Sequence, residues 1–154
     1  VNCFEYYKKF GAEPAKDYPY TPEDGRCRYD EHDVTVKVKG YRTVVPGVES
    51  VKAALVHLGP LSVAMDASRR SFQLYRRGVY SDPECSDTAL DHAVLLVGYG
   101  TSDEGGVDYW LVQNSWGGSW GTSIDSGGGG GGFFKIDVAH DCGISENPVS
   151  VPVL

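Results

Sequence analysis

No apolar run in the 154-residue sequence approaches the roughly 18 residues that a membrane-crossing helix requires, so no membrane span is expected. Clustered positive charge is also scarce. The formal net charge is −7, and the nearest thing to a basic cluster is Arg69-Arg70 with Arg76-Arg77, split by an apolar-aromatic stretch. That pattern reads as a solvated face. Binding nucleic acid needs Lys and Arg gathered against phosphates, so no nucleic-acid partner is expected. The four cysteines, Cys3, Cys27, Cys85 and Cys142, include no CxxC pair and no histidine at metal-ligand spacing. No metal site or cofactor is therefore expected. The four allow three full pairings, among which the sequence does not choose, and any pairing would imply an oxidising compartment. Internal repeats and a signal peptide are missing too. The first residue is Val1 and not Met, so the chain is expected to be truncated at its front.

What is present suits one domain with its own core. Cys3 to Gly11 reads as the end of an amphipathic helix whose beginning lies outside the chain: Phe4, Tyr7 and Phe10 recur every third residue, and Gly11 suits a left-handed cap. A proline-punctuated loop through Asp17 to Pro22 follows, ending near Cys27. Val34, Val36 and Val38 alternate with polar residues, which predicts a half-buried strand. Val48, Val51, Leu55 and Leu58 follow helical spacing up to Gly59, and Leu61 to Met65 reads as a buried strand. Phe72 to Tyr75 suggests a short turn or helix. Ala93 to Val97 is a continuous apolar run, as expected of a strand buried on both faces. Tyr109 to Val112 and Phe133 to Val138 supply two more strands. Gly127 to Gly132 is an unbroken glycine run, read as a flexible surface loop; it lacks the strand-then-helix context of a phosphate cradle.

Two clusters could carry chemistry. In Leu90-Asp91-His92-Ala93 the histidine stands at the mouth of the apolar strand, close to solvent on a rigid backbone. A histidine at a strand start is more often structural. Imidazole is nonetheless the side chain best suited to take and return a proton near neutral pH. The second cluster is Asn114-Ser115-Trp116-Gly117-Gly118-Ser119-Trp120-Gly121. It could be a turn with core aromatics. Alternatively, the Asn114 carbonyl oxygen could accept a hydrogen bond from one imidazole nitrogen and leave the other facing a nucleophile, with an indole excluding water from that bond.

These clusters resemble the histidine and asparagine motifs of papain-like cysteine peptidases: Asp-His-Ala followed by Val-Gly-Tyr-Gly, and Tyr-Trp-Leu-Val-Gln-Asn-Ser-Trp-Gly. Tyr18-Pro19-Tyr20, Gly59-Pro60-Leu61-Ser62-Val63, Tyr75 to Tyr80 and Cys142-Gly143-Ile144 are similar to cathepsin L-like members and keep the family's order. The resemblance implies an α+β papain-like fold whose active site lies between a helical lobe, carrying the nucleophilic cysteine, and a β-barrel-type right-hand lobe. This chain matches the second lobe. Residues 1–30 would be the helix end and loop from the lobe boundary, 31–154 the β-rich lobe, and 122–132 an inserted Gly-rich loop. The catalytic residues would be His92 and Asn114, supported by Trp116. Ala64, Leu90, Asp91, Ala93 and Asn147 would bind substrate, the apolar ones favouring bulky hydrophobic side chains. Cys85 and Cys142 match a family disulfide, worth roughly 4 kcal/mol by chain entropy.

The family's C-G-[SA]-C-[WY] segment is absent. Cys3 has no glycine loop around it; Cys27 has an electropositive flank but resembles a disulfide position whose partner would precede Val1. It must stay free or find Cys3. The resemblance thus implies an endopeptidase acting on peptides or proteins, inactive as a lone chain until the missing N-terminal lobe is supplied, and open to cystatin-like inhibitors. A lysosomal or extracellular location would follow. The alternative is a pseudoenzyme or interaction module derived from such a peptidase.

Overall fold

The computed structural model describes residues 2–124, 130–147 and 149–153, and the chain divides into two compact units. The first comprises Val1–Arg42 with Pro152–Leu154, the second Thr43–Val151.

In the first unit, α1 (Asn2–Phe10) stops where Gly11 takes φ +87° and its N–H donates to the Tyr7 carbonyl at 2.9 Å. A side chain at Gly11 would collide with Val34, so both backbone freedom and space require glycine. The aromatic stripe is present, yet no residue of α1 is buried; its rings meet Tyr29 and Tyr41 in surface contacts. The alternation at Val34, Val36 and Val38 does not produce the expected strand. Val36 forms only an isolated bridge with Ala12, and Val36 itself is exposed. Alternation supplies a side-chain pattern, but a strand also needs a continuous pairing edge, which begins only at β1 (Gly40–Val44).

The second unit holds the core. Gly47, at φ +127°, starts α2 (Val48–Leu58), and Gly59 ends it with its N–H on the Leu55 carbonyl. Val51 and Ala54 are buried, Val48 and Leu55 pack against the core, and Leu58 at the helix end is exposed. Then come β2 (Leu61–Met65), a single turn α3 (Arg70–Gln73), β3 (Val79–Tyr80), β4 (His92–Thr101), β5 (Asp108–Gln113), β6 (Phe133–Asp137) and β7 (Val149–Val153). Among the described residues these strands form one mixed sheet in the order β1-β7-β2-β4-β5-β6-β3. It is not closed. β2 pairs antiparallel with β4 and with β7, as do β4 with β5 and β5 with β6, whereas β3 pairs parallel with β6.

The sheet's inner face carries Leu61, Val63, Met65, Val94, Leu96, Trp110, Val112, Phe134 and Ile136, all buried. β4 departs from expectation. Val94 and Leu96 are buried, but Ala93 and Leu95 on its other face are exposed, Leu95 by 38%. A continuous apolar run marks a strand whose two faces can both be covered; within this chain only one of them packs on the core.

Two buried carboxylates, Asp66 and Asp141, lie near the Cys85–Cys142 disulfide. Asp141 accepts from the Trp110 indole N–H at 3.0 Å and the Ser145 N–H at 2.9 Å on Oδ2, and from the Gly143 N–H at 3.1 Å on Oδ1. Burial still pushes its pKa above the ordinary aspartate value. Next to it Cys142 is joined to Cys85, while Cys3 and Cys27 are free and exposed. Asp66 accepts from the Ser68 N–H at 2.9 Å and the Ser86 N–H at 2.8 Å, tying the end of β2 to the chain beside that disulfide. Burial alone would raise the pKa of Asp66; the hydrogen bonds from Ser68 and Ser86, with Arg69 nearby, outweigh it and hold the carboxyl below its usual range. A depressed folded pKa gives stability that is complete above the unfolded value of about 3.9 and is lost as pH falls through the folded value. Asp66→Asn should therefore lower stability at neutral pH by about 1–3 kcal/mol and flatten the acid limb of a plot of denaturation midpoint against pH.

Candidate active site

The antiparallel pairing of β4 with β5 sets Leu95 opposite Gln113. Continuing that register by one step places Asn114 across from Val94, so His92, two residues back on the same face, is its diagonal neighbour. Such diagonals lie within reach of long side chains. His92 Nε2 and Asn114 Oδ1 are 2.8 Å apart. On its other side His92 sits opposite Met65 of β2, which fixes the backbone from which the ring projects.

Which nitrogen carries the proton follows from a second contact. Asn114 Oδ1 also accepts the Ser115 N–H at 2.8 Å, which identifies that atom as the oxygen. The group facing it must donate, so neutral His92 holds its proton on Nε2 and presents the Nδ1 lone pair. Nδ1 has no partner among the described residues. Asn114 is 8% exposed, and its Nδ2 is buried with no hydrogen-bond partner among them. An unpaired buried donor costs about 1–3 kcal/mol. The arrangement holds the amide oxygen on the imidazole at the expense of its nitrogen.

The Trp116 ring stands 5.1 Å from the His92 ring, tilted by 33°. It is held in place by edge contacts with Phe72 at 5.5 Å and Trp120 at 5.0 Å. Trp120 in turn donates its indole N–H to the Gln73 carbonyl at 2.9 Å. Phe72 of α3 and Trp120 are thus part of the support, and their sequence signal was only aromatic character. Ser115 was missed altogether, because a backbone N–H leaves no trace in the residue type.

The other candidates are divided. Ala64 and Ala93 are cross-strand partners on the outer face of the sheet. Leu90 and Asn147 flank Gly143: a Cβ built there would lie 2.6 Å from Leu90 Cδ2 and 3.0 Å from Asn147 Nδ2. The Asn147 amide donates to the carbonyls of Asp87 and Gly143, each at 2.8 Å, so its nitrogen is committed to backbone. Asp91 accepts the Ala67 N–H at 2.8 Å. A cavity of about 480 Å³ reaches Asn114 but not His92; it is lined by Ser62, Ala93, Val94, Leu95, Gln113, Asn114 and Ser115. Larger hollows elsewhere do not touch it. No group of three or more metal-ligating side chains occurs among the described residues, and no helix there is long and apolar enough to cross a membrane.

An imidazole with one nitrogen anchored and one free has the geometry to take or give a proton. Residues 1–152 match the family described as papain family cysteine protease. The chain belongs to that family. It is 48% identical over 148 residues to cathepsin L of Sarcophaga peregrina, covering 94% of this chain and 41% of that protein. Digestive cysteine proteinase 1 of Homarus americanus is 45% identical over 140 residues, covering 89% and 40%. Among solved structures, digestive procathepsin L2 proteinase from Tenebrio molitor larval midgut superposes with a TM-score of 0.85 at 38% identity, covering 99% of this chain and 46% of that one. This papain-family chain therefore spans less than half the length of the relatives it matches.

The tautomer assignment is open to measurement. Long-range ¹⁵N–¹H correlations should place the proton of neutral His92 on Nε2. In Asn114→Ala the Nδ1–H form should become populated.

Proposed function

We propose that His92 and Asn114 are the proton-transfer and orienting residues of a cysteine-type endopeptidase site. Its nucleophile would come from an N-terminal lobe outside this sequence. The observation that carries this reading is the 2.8 Å bond between His92 Nε2 and an amide oxygen of fixed orientation, which leaves Nδ1 free. That nitrogen would take the proton of an incoming thiol, giving a thiolate–imidazolium pair. The thiolate attacks the carbonyl carbon of a peptide bond; the imidazolium then protonates the leaving amine, and water releases the acyl group with His92 as base. Trp116 would exclude water from the imidazole–amide bond. The exposed Leu95 is suited to packing against the missing lobe. The patch of Ala64 and Ala93, with Leu90, Asp91 and Asn147, would take substrate, favouring a bulky apolar side chain. Cystatin-like inhibitors and a lysosomal or extracellular setting belong to the same reading.

A second reading is favoured by one feature, the exposed apolar face at Leu95: an inactive interaction module that uses this face for a partner. One experiment separates the two. The 154-residue chain should not hydrolyse peptidyl amides alone. Joined to the cysteine-bearing N-terminal portion of Sarcophaga cathepsin L, it should do so, with His92→Ala costing at least ~10³-fold and Asn114→Ala less. Hydrolysis by the lone chain, or a joined enzyme indifferent to His92→Ala, would remove the proposal. A well-folded joined protein with no activity would favour the interaction module.

A further inference from the structure

The glycine run ends in three residues that behave unlike a linker. Gly127 to Gly129 lie outside the described residues. Gly130, Gly131 and Gly132 adopt φ +87°, +125° and +80°. Each donates its N–H to the tryptophan turn: Gly130 to the Gly121 carbonyl at 2.7 Å, Gly131 to that of Gly118 at 2.7 Å, and Gly132 to that of Trp120 at 3.0 Å. The expectation of a flexible surface loop is thus corrected for these three positions, because backbone bonds replace the side-chain packing that glycine cannot offer. Space is as restrictive as torsion. A Cβ on Gly131 would lie 2.8 Å from both the Ser123 Cα and the Thr122 oxygen, and one on Gly130 would lie 3.0 Å from the Gly118 oxygen. Gly132 is buried, and its carbonyl accepts the Asn114 N–H at 2.8 Å.

We infer that Gly131 and Gly132 are positioning residues for the His92–Asn114 pair. The inference rests on the reading of that pair as catalytic. Asn114 leaves β5 at the point where its N–H needs an acceptor, and Gly132 supplies it from the next strand's approach. Gly132 is held in turn by Trp120, and Gly131 by Gly118. The turn carrying Trp116 and the residue carrying the amide are therefore clamped by one backbone platform. A residue that cannot reach positive φ, or that carries a Cβ at Gly131, must lift the platform away from the turn. Asn114 then rotates or shifts, and its oxygen leaves the imidazole.

The test uses the full chain and reads the pair's geometry, not peptide cleavage, so it can fail while the peptidase reading survives, or the reverse. In the wild type the Nε2–H proton of His92, held by Asn114 Oδ1, should give an NMR signal that resists exchange with water. Gly118→Ala serves as control, since Gly118 has nothing within 4 Å of a Cβ and no positive φ. It should keep the signal. Gly131→Ala and Gly132→Ala should lose it while the core methyl signals of Val51 and Ile144 stay dispersed. A folded variant of either kind that retains the signal would overturn the inference. If both variants unfold, hydrogen exchange in the wild type decides. The Asn114 amide should exchange ~100-fold or more slowly than in an unstructured chain; exchange at the unstructured rate would overturn the inference equally.

Discussion

The amide oxygen of Asn114 receives two hydrogens, one from the backbone at Ser115 and one from the imidazole of His92, each across 2.8 Å. The orientation of both side chains depends on that doubly occupied atom. The backbone donor prevents the amide from flipping, and an amide that cannot flip dictates which ring nitrogen holds the proton. The lone pair left on Nδ1 is then a consequence of geometry and needs no neighbouring charge to create it. The unpaired Nδ2 is the counterpart of this order. A side chain chosen for stability alone would not bury an unmatched donor there.

Support for that atom comes from two directions. Below it, β4 and β5 run antiparallel between β2 and β6; position 92 is paired with Met65 of β2, and the Asn114 N–H is held by the Gly132 carbonyl at 2.8 Å. Around it, Phe72, Trp116, Trp120 and Phe134 form a cluster of edge-to-face contacts at 4.9 to 5.8 Å. Such contacts restrict ring orientation as well as burying area. Membership of the papain family explains why these residues occur together; the contacts explain what each one does. The chain spans less than half the length of the relatives it matches.

Legibility in the sequence followed the kind of signal each element emits. β2, α2 and β5 were readable because their own periodicity reports the face they bury, as at Val51 or at Leu61, Val63 and Met65. The segment at Val34 to Val38 misled because alternation was present without a partner edge to pair with. β3 and β7 were overlooked, being respectively two residues long and interrupted by a proline. At β4 the apolar run correctly marked a strand, but not which of its faces this chain would cover. That the sheet stays open among the described residues was likewise a property of pairing that no local pattern specifies.

The sequence by itself determined the chemistry available: an imidazole, a carboxamide, an indole and four thiols, set in motifs that resemble one family throughout. Tertiary structure decided how those groups act. It joined Cys85 to Cys142 and left Cys3 and Cys27 free, committed the Asn147 nitrogen to backbone carbonyls, and tied Gly130 to Gly132 to the tryptophan turn by backbone hydrogen bonds. The reason is that residue type sets a donor or acceptor inventory, whereas partner, tautomer and orientation depend on distances between atoms remote in the chain.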